Sequence, residues 1–186
     1  MDMIDPSSTA TGKSAPRRRE ITIFREASAP TLDESEMMEL NNSEVATAGI
    51  AKLRDSGLDD GYVLKCLFRS PDADGFSLTY AWFKGNYALP PHKHNTACLY
   101  YVISGEIHMG KEVLGAGDGF FLPAGAGYSY SAGPDGVEVV EFRDSSHFDI
   151  AIADASAASW ERLAKICENN RELWKSQRPP VRIPQV

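Results

Sequence analysis

Residues 85–105, GNYALPPHKHNTACLYYVISG, decide how the rest of the chain is read. His92 and His94 stand two apart, and in an extended strand residues i and i+2 point to the same face, so both imidazoles converge on one point. Pro90 and Pro91 precede them, and proline cannot donate to a sheet ladder, which places this backbone at a sheet edge or rim. Beyond the histidines, residues 97–103 (ACLYYVI) have strand composition, Ser104-Gly105 reads as a turn, and residues 106–109 as a return strand.

The pattern continues outward on both sides. Residues 62–68 (YVLKCLF) and 77–83 (SLTYAWF) are strand-like and flank a stretch dense in turn formers, SPDADG, which reads as a hairpin. Downstream, short strands at 111–114, 120–122, 128–130 and 137–142 are separated by GAGDG, PAGAG and AGPDG. Strands punctuated this often by Gly and Pro predict a sandwich or barrel. The same glycines are no phosphate loop, because no Lys-Ser/Thr pair and no helical pattern follow them.

The flanks read differently. Residues 1–20 are rich in Ser, Thr, Ala and Pro with Arg17, Arg18 and Arg19, and predict a disordered tail. Residues 21–24 (ITIF) form a β-prone run that would add an edge strand, on this chain or on a partner subunit. Between 31 and 56, Ser43 is a fitting N-cap, Val45, Ala48 and Leu53 share a face, and Gly57 is a stop, which predicts a helix despite Gly49 in its middle. Residues 155–177 set Trp160, Leu163, Ala164, Cys167 and Trp174 at helical spacing, the stripe of an amphipathic helix that packs on the domain or on a second subunit. The expected organisation is a tail at 1–20, a strand and helix extension at 21–61, a barrel at 62–150, and a helix and tail at 151–186.

At 186 residues the chain has room for one core. A hydrophobic share of 42% suits a globular protein, and a formal charge of −7 argues against a nucleic-acid backbone or an anionic membrane as partner. Three cysteines without CxxC pairing, no apolar run of membrane length and no apolar leader point to a reduced, cytoplasmic protein.

The spacing Gly85, His92-x-His94, Gly105 resembles the first motif of the cupin superfamily, and Gly117-x5-Pro123-x-Gly125 resembles its second. The resemblance implies an all-β fold, a double-stranded β-helix or jelly-roll barrel, here with a peripheral N-terminal segment and a C-terminal α-helix. It also implies a metal site on His92 and His94. The family's metal-binding Glu, four residues after the second His, is Cys98 here, and its third His is Tyr128.

Two neutral imidazoles suit Fe(II), the first expectation, and also Zn(II), Mn(II), Ni(II) or Cu(II). Cys98 projects from the same face as the histidines if the strand is unbroken, and Glu106 completes the shell if its face is the inner one; Ile107 and Met109 on the alternate face favour the opposite. Glu141, in the closing strand, is a further candidate. Tyr100 and Tyr128 are candidates to orient a substrate or move a proton. Trp82, Phe121 and Tyr130, with Tyr80, are expected in a moderately apolar pocket. The resulting expectation is a metal-dependent enzyme of the non-haem dioxygenase kind acting on a small aromatic or carbonyl compound. The alternatives are an isomerase or lyase with the same parts, and a non-catalytic binding or sensing protein. A homodimer is expected from the sheet edges and the amphipathic helix.

Overall fold

The computed structural model describes residues 21–72 and 75–179; the predicted tail at 1–20 and the end of the chain after 179 lie outside them. Nine strands follow in chain order: β1 (Met38–Leu40), β2 (Tyr62–Arg69), β3 (Ser77–Phe83), β4 (His92–Lys93), β5 (Cys98–Met109), β6 (Glu112–Leu114), β7 (Gly119–Leu122), β8 (Ser131–Arg143) and β9 (Phe148–Ile152). Helix α1 (Glu44–Asp55) precedes β2 and helix α2 (Ala157–Ser176) ends the described chain. The large sheet runs β2-β3-β8-β5-β6 with β7 also on β5, and the small sheet runs β1-β9-β4. The result is a jelly-roll sandwich with its core between the sheets.

Alternation places the side chains. On β5, Cys98, Tyr100 and Val102 are buried while Leu99, Tyr101 and Ile103 are exposed. On β8, Val137, Val139, Glu141 and Arg143 share the inner face. The turns predicted at 104–105 and 132–136 are absent. Both stretches lie inside long strands, and β5 is bulged against β8 between Val102 and Ser104 and between Gly105 and Ile107. Glycine replaces a turn with a bulge here: Gly105 has φ +74°, and a Cβ on it would lie 2.0 Å from the Gly136 carbonyl oxygen. The first bulge turns Ser104 outward, where its Oγ donates to Glu138 (2.5 Å), which also accepts from Tyr80 (2.6 Å). The strand expected at 128–130 is reduced to isolated bridges, Ala88 to Ser131 and His92 to Tyr128.

The flanking segments wrap the sandwich. Residues 21–24 form no strand in the chain and expose Ile21 and Ile23. Strand β1, unforeseen, pairs in parallel with β9, itself unforeseen. Helix α1 starts at the predicted cap, with Ser43 Oγ accepting from the Ala46 N–H at 3.0 Å. Its buried face is Ala46, Gly49 and Leu53, not Val45 and Ala48, because Gly49 must meet the Trp160 indole of α2. Helix α2 buries Trp160, Ala164, Cys167 and Trp174 on its own domain as the periodicity predicts, and Trp174 Nε1 donates to the Gly85 carbonyl at 2.8 Å. Among the described residues no helix is long and apolar enough to cross a membrane.

A Cβ on Gly49 would approach Trp160 to 2.2 Å. Gly49→Ala should therefore destabilise the fold by about 1–3 kcal/mol through overpacking, where an unencumbered helix would gain about 1 kcal/mol; denaturant unfolding of the two proteins decides the sign.

Candidate functional site

The histidines sit where β4 enters the small sheet, and each ring is held from behind by a backbone carbonyl. His92 Nδ1 donates to the Pro90 carbonyl (2.7 Å) and His94 Nδ1 to the Asp149 carbonyl (2.5 Å). These bonds assign the proton to Nδ1 in both rings, so both Nε2 lone pairs face the interior. The ring centroids are 5.0 Å apart, and both rings are buried. The convergence predicted from the HxH spacing is present. Burial, with the neighbouring His94, lowers the His92 pKa to about 4; burial, with the charge of Arg143, lowers that of His94 to about 4.

Tyr128 enters between them. Its hydroxyl is 2.9 Å from His92 Nε2, 3.5 Å from His94 Nε2 and 2.6 Å from the Tyr100 hydroxyl. With His92 Nε2 unprotonated, Tyr128 donates to it and accepts from Tyr100, and the Tyr100 oxygen in turn faces Arg143 Nη2 at 3.4 Å. Burial, followed by the charge of Glu141, raises both phenols well above their usual range, so both hydroxyls keep their protons.

Arg143 and Glu141 complete the cluster. Arg143 Nη1 donates to Glu141 Oε2 at 2.7 Å and points at Cys98 Sγ at 3.3 Å. Nη2 lies 3.4 Å from His94 Nε2, and the guanidinium carbon stands 4.1 Å from the centre of the Phe148 ring. Burial is the largest influence on Arg143 and opposes its charge, but the carboxylate of Glu141 together with Tyr100, Cys98 and Tyr128 outweighs it and raises the pKa. Glu141 stood among the carboxylates weighed as metal ligands, whereas Arg143 did not figure in the sequence reading. Counting by twos from the apolar Val137 and Val139 leads directly to both.

The other sequence candidates divide. Cys98 faces inward as predicted but stands behind Arg143, and burial with the charge of Glu141 pushes its thiol up to about 12. Glu106 is a correction: it projects from the outer face, exposed, and pairs with His108 at 3.1 Å. Trp82 and Phe121 are corrections of the same kind. Ala81 and Phe83 take the inner face of β3, so Trp82 is buried outside against Gly136, and Phe121 is 64% exposed. Tyr130 is in the core beside Tyr128, with centroids 6.1 Å apart, but does not line the histidine cavity. Its walls are instead Leu64, Phe83, Leu89, Ile150 and Ile152, with Ile50 and Arg54 of α1 at one side.

A metal held here would find two nitrogen donors and no complete set. Among the described residues no three His, Cys, Asp or Glu side chains come together as ligands. The Cys98 thiol and the Glu141 carboxylate are both engaged by Arg143, and that guanidinium puts a positive charge 3.4 Å from His94 Nε2. The residues present do not fit the ligand set that the family resemblance implies.

The strand order and the two motifs give the chain a cupin-type fold. The sequence matches no protein-family model and no curated protein to a significant degree. Solved structures similar to it in fold include the polyketide cyclase RemF from Streptomyces resistomycificus, 22% identical over 59% of this chain and 82% of that one, with a TM-score of 0.47. An RmlC-like cupin from Shewanella frigidimarina is 24% identical over 47% of this chain and 78% of its own, with a TM-score of 0.41. KdgF from Halomonas sp. is 23% identical over 45% and 79%, with a TM-score of 0.40. These are likenesses of fold and carry no chemistry.

Because both histidines have depressed pKa values, the unfolded chain binds more protons than the folded one between the ordinary imidazole value of 6.5 and about 4. The stability they contribute is present above pH 6.5 and lost as pH falls through that window. Thermal unfolding followed against pH should show the loss, and His92→Asn should make it shallower.

Proposed function

We propose that the chain is an enzyme that moves a proton on a small, largely apolar carbonyl compound, catalysing an enol–keto isomerisation or a related elimination. The observation that carries this reading is the placement of Tyr128, a protonated donor, between two imidazoles whose Nε2 atoms carry no proton. His94 Nε2 makes only long contacts, at 3.4 and 3.5 Å, and is the base that takes the proton from carbon. Tyr128 gives its proton to the carbonyl oxygen, and the Tyr100 hydroxyl, 2.6 Å away, supports the charge that develops on the phenolic oxygen. The apolar walls exclude water and strengthen each of these interactions.

Two other readings stand behind this one. The metal-dependent dioxygenase draws its support from the carbonyl-tethered histidines, since a ring that donates from Nδ1 presents Nε2 as a ligand atom. It needs a third donor that the described residues do not bring together. The non-catalytic binder uses the same cavity without turnover.

Phenylpyruvate in D2O is the test. Exchange of its benzylic protons, followed by NMR, should be catalysed by the protein, and Tyr128→Phe or His94→Asn should lower the rate by about 100-fold or more. Absence of exchange in the wild-type chain would remove the proposal. Elemental analysis of the same preparation, beside His92→Ala and His94→Ala, tests the metal reading: one transition metal per chain, lost in both variants, would establish it.

A further inference from the structure

Arg143 is 2% exposed, yet among the described residues one edge of its guanidinium is unpaired at Nε and only weakly bonded at Nη2. Nη1 is taken by Glu141 and Cys98. Nη2 has only the two contacts at 3.4 Å, and Nε has no hydrogen-bond partner among the described residues. Nε and Nη2 form the side edge of the guanidinium, the edge that receives a carboxylate through two parallel hydrogen bonds. The Phe148 ring beneath the guanidinium fixes the plane of that edge. A buried donor left without an acceptor is costly, and a pair that served packing alone would carry this cost without return. The surrounding walls are aliphatic and aromatic, and the second positive group on the lining, Arg54, is exposed at its side.

Building on the proton-transfer reading, we propose that the side edge of Arg143 recognises the carboxylate of the substrate, and that the ligand class is a small monoanion with an apolar or aromatic body. Glu141 neutralises and orients the guanidinium without occupying that edge. The apolar walls take the body, and the carbonyl to be activated lies between the carboxylate and the body, within reach of Tyr128. Arg143 is a substrate-binding residue in this arrangement.

Calorimetric titration of the full chain with 3-phenylpropanoate, 3-phenylpropan-1-ol and acetate separates the contributions of charge and body. The carboxylate should bind at least about tenfold tighter than the alcohol or acetate, the size expected of a charge-assisted pair. Arg143→Lys keeps a cation for Glu141 but has no fork, and should lose that preference. Arg143→Met/Glu141→Met removes both charges and serves if the lysine variant is unstable. Equal binding of acid and alcohol, unchanged binding in Arg143→Lys, or no binding of the acid would each overturn the proposal. Because 3-phenylpropanoate is bound without turnover, selective binding with no exchange of phenylpyruvate sinks the catalytic reading alone. Exchange without carboxylate preference sinks this one alone.

A separate observation concerns the outer face of the large sheet. Leu99 pairs in register with Phe121 on one side and Phe142 on the other, and the Phe76 ring lies tilted against Phe142 with centroids 5.2 Å apart. With Tyr101 and Ile103 they form an uncharged apolar face in which each side chain is 41% or more exposed. Such a face presents roughly 600 Å² of apolar surface, most of the approximately 800 Å² per partner that a stable interface buries. We infer that it pairs with the same face of a second copy, as an isologous contact sets one apolar patch against its own copy and the area approaches what one side of a stable interface buries. Sedimentation equilibrium at micromolar concentration should give a dimer, and Leu99→Lys/Phe121→Lys a folded monomer. A monomeric wild type, or a dimer that survives both substitutions, would overturn it.

Discussion

The ion pair between Arg143 and Glu141 is the constraint on which the interior depends. Two charges removed from water are tolerated only when each satisfies the other, and deletion of one partner from such a pair costs about 3–5 kcal/mol. Here the pair lies on the inner face of β8, with the guanidinium between Glu141, Cys98, Tyr100 and His94. It therefore connects the central strand of the large sheet to the histidines beside the small one. The polar cluster is a single network whose members orient one another: carbonyls fix the imidazoles, the imidazoles fix the sense of the Tyr128 hydrogen bond, and Arg143 anchors the Tyr100 end.

The apolar surroundings set the chemistry of that network. Burial makes the histidines reluctant to take protons and the tyrosines reluctant to release them, so the resting state has bases and acids side by side without exchange. A carbonyl compound placed among them meets a donor and an acceptor already in their reactive forms. Preorganisation of this kind does not depend on a particular cofactor, but it does depend on the exclusion of water, to which α1 contributes by lining the cavity with Ile50.

Much of the fold was legible because the signals were local. The HxH doublet, the Gly and Pro punctuation and the stripe on α2 each depend on a few neighbouring residues and translate directly into facing, turning and packing. The failures came from long-range pairing. Strands β1 and β9 are three and five residues long and exist because each supplies the other's hydrogen bonds across more than a hundred residues of chain. Gly105 and Gly136 suggested turns where two strands pass so closely that only glycine fits. In the site, His92, His94 and Tyr100 were found by alternation, and Tyr128 by its place in the second motif. Glu106 was misplaced as a ligand because the bulge between Val102 and Ser104 resets which face of β5 is inward. Arg143 was missed because a charged residue at the end of an apolar strand reads as solvent-facing.

Phe142, between Glu141 and Arg143, is 42% exposed while its two charged neighbours are buried. Hydrophobicity alone would choose the reverse, turning the ring in and the charges out, and a one-residue slip of β8 would achieve it. The native alignment at this end is thus a frustrated choice, held by Val137 and Val139 further up the strand and by the electrostatic clasp itself. Evolutionary drift that weakened the clasp would invite mispairing during folding before it altered any chemistry, so the same two side chains guard the chain's route to its native state.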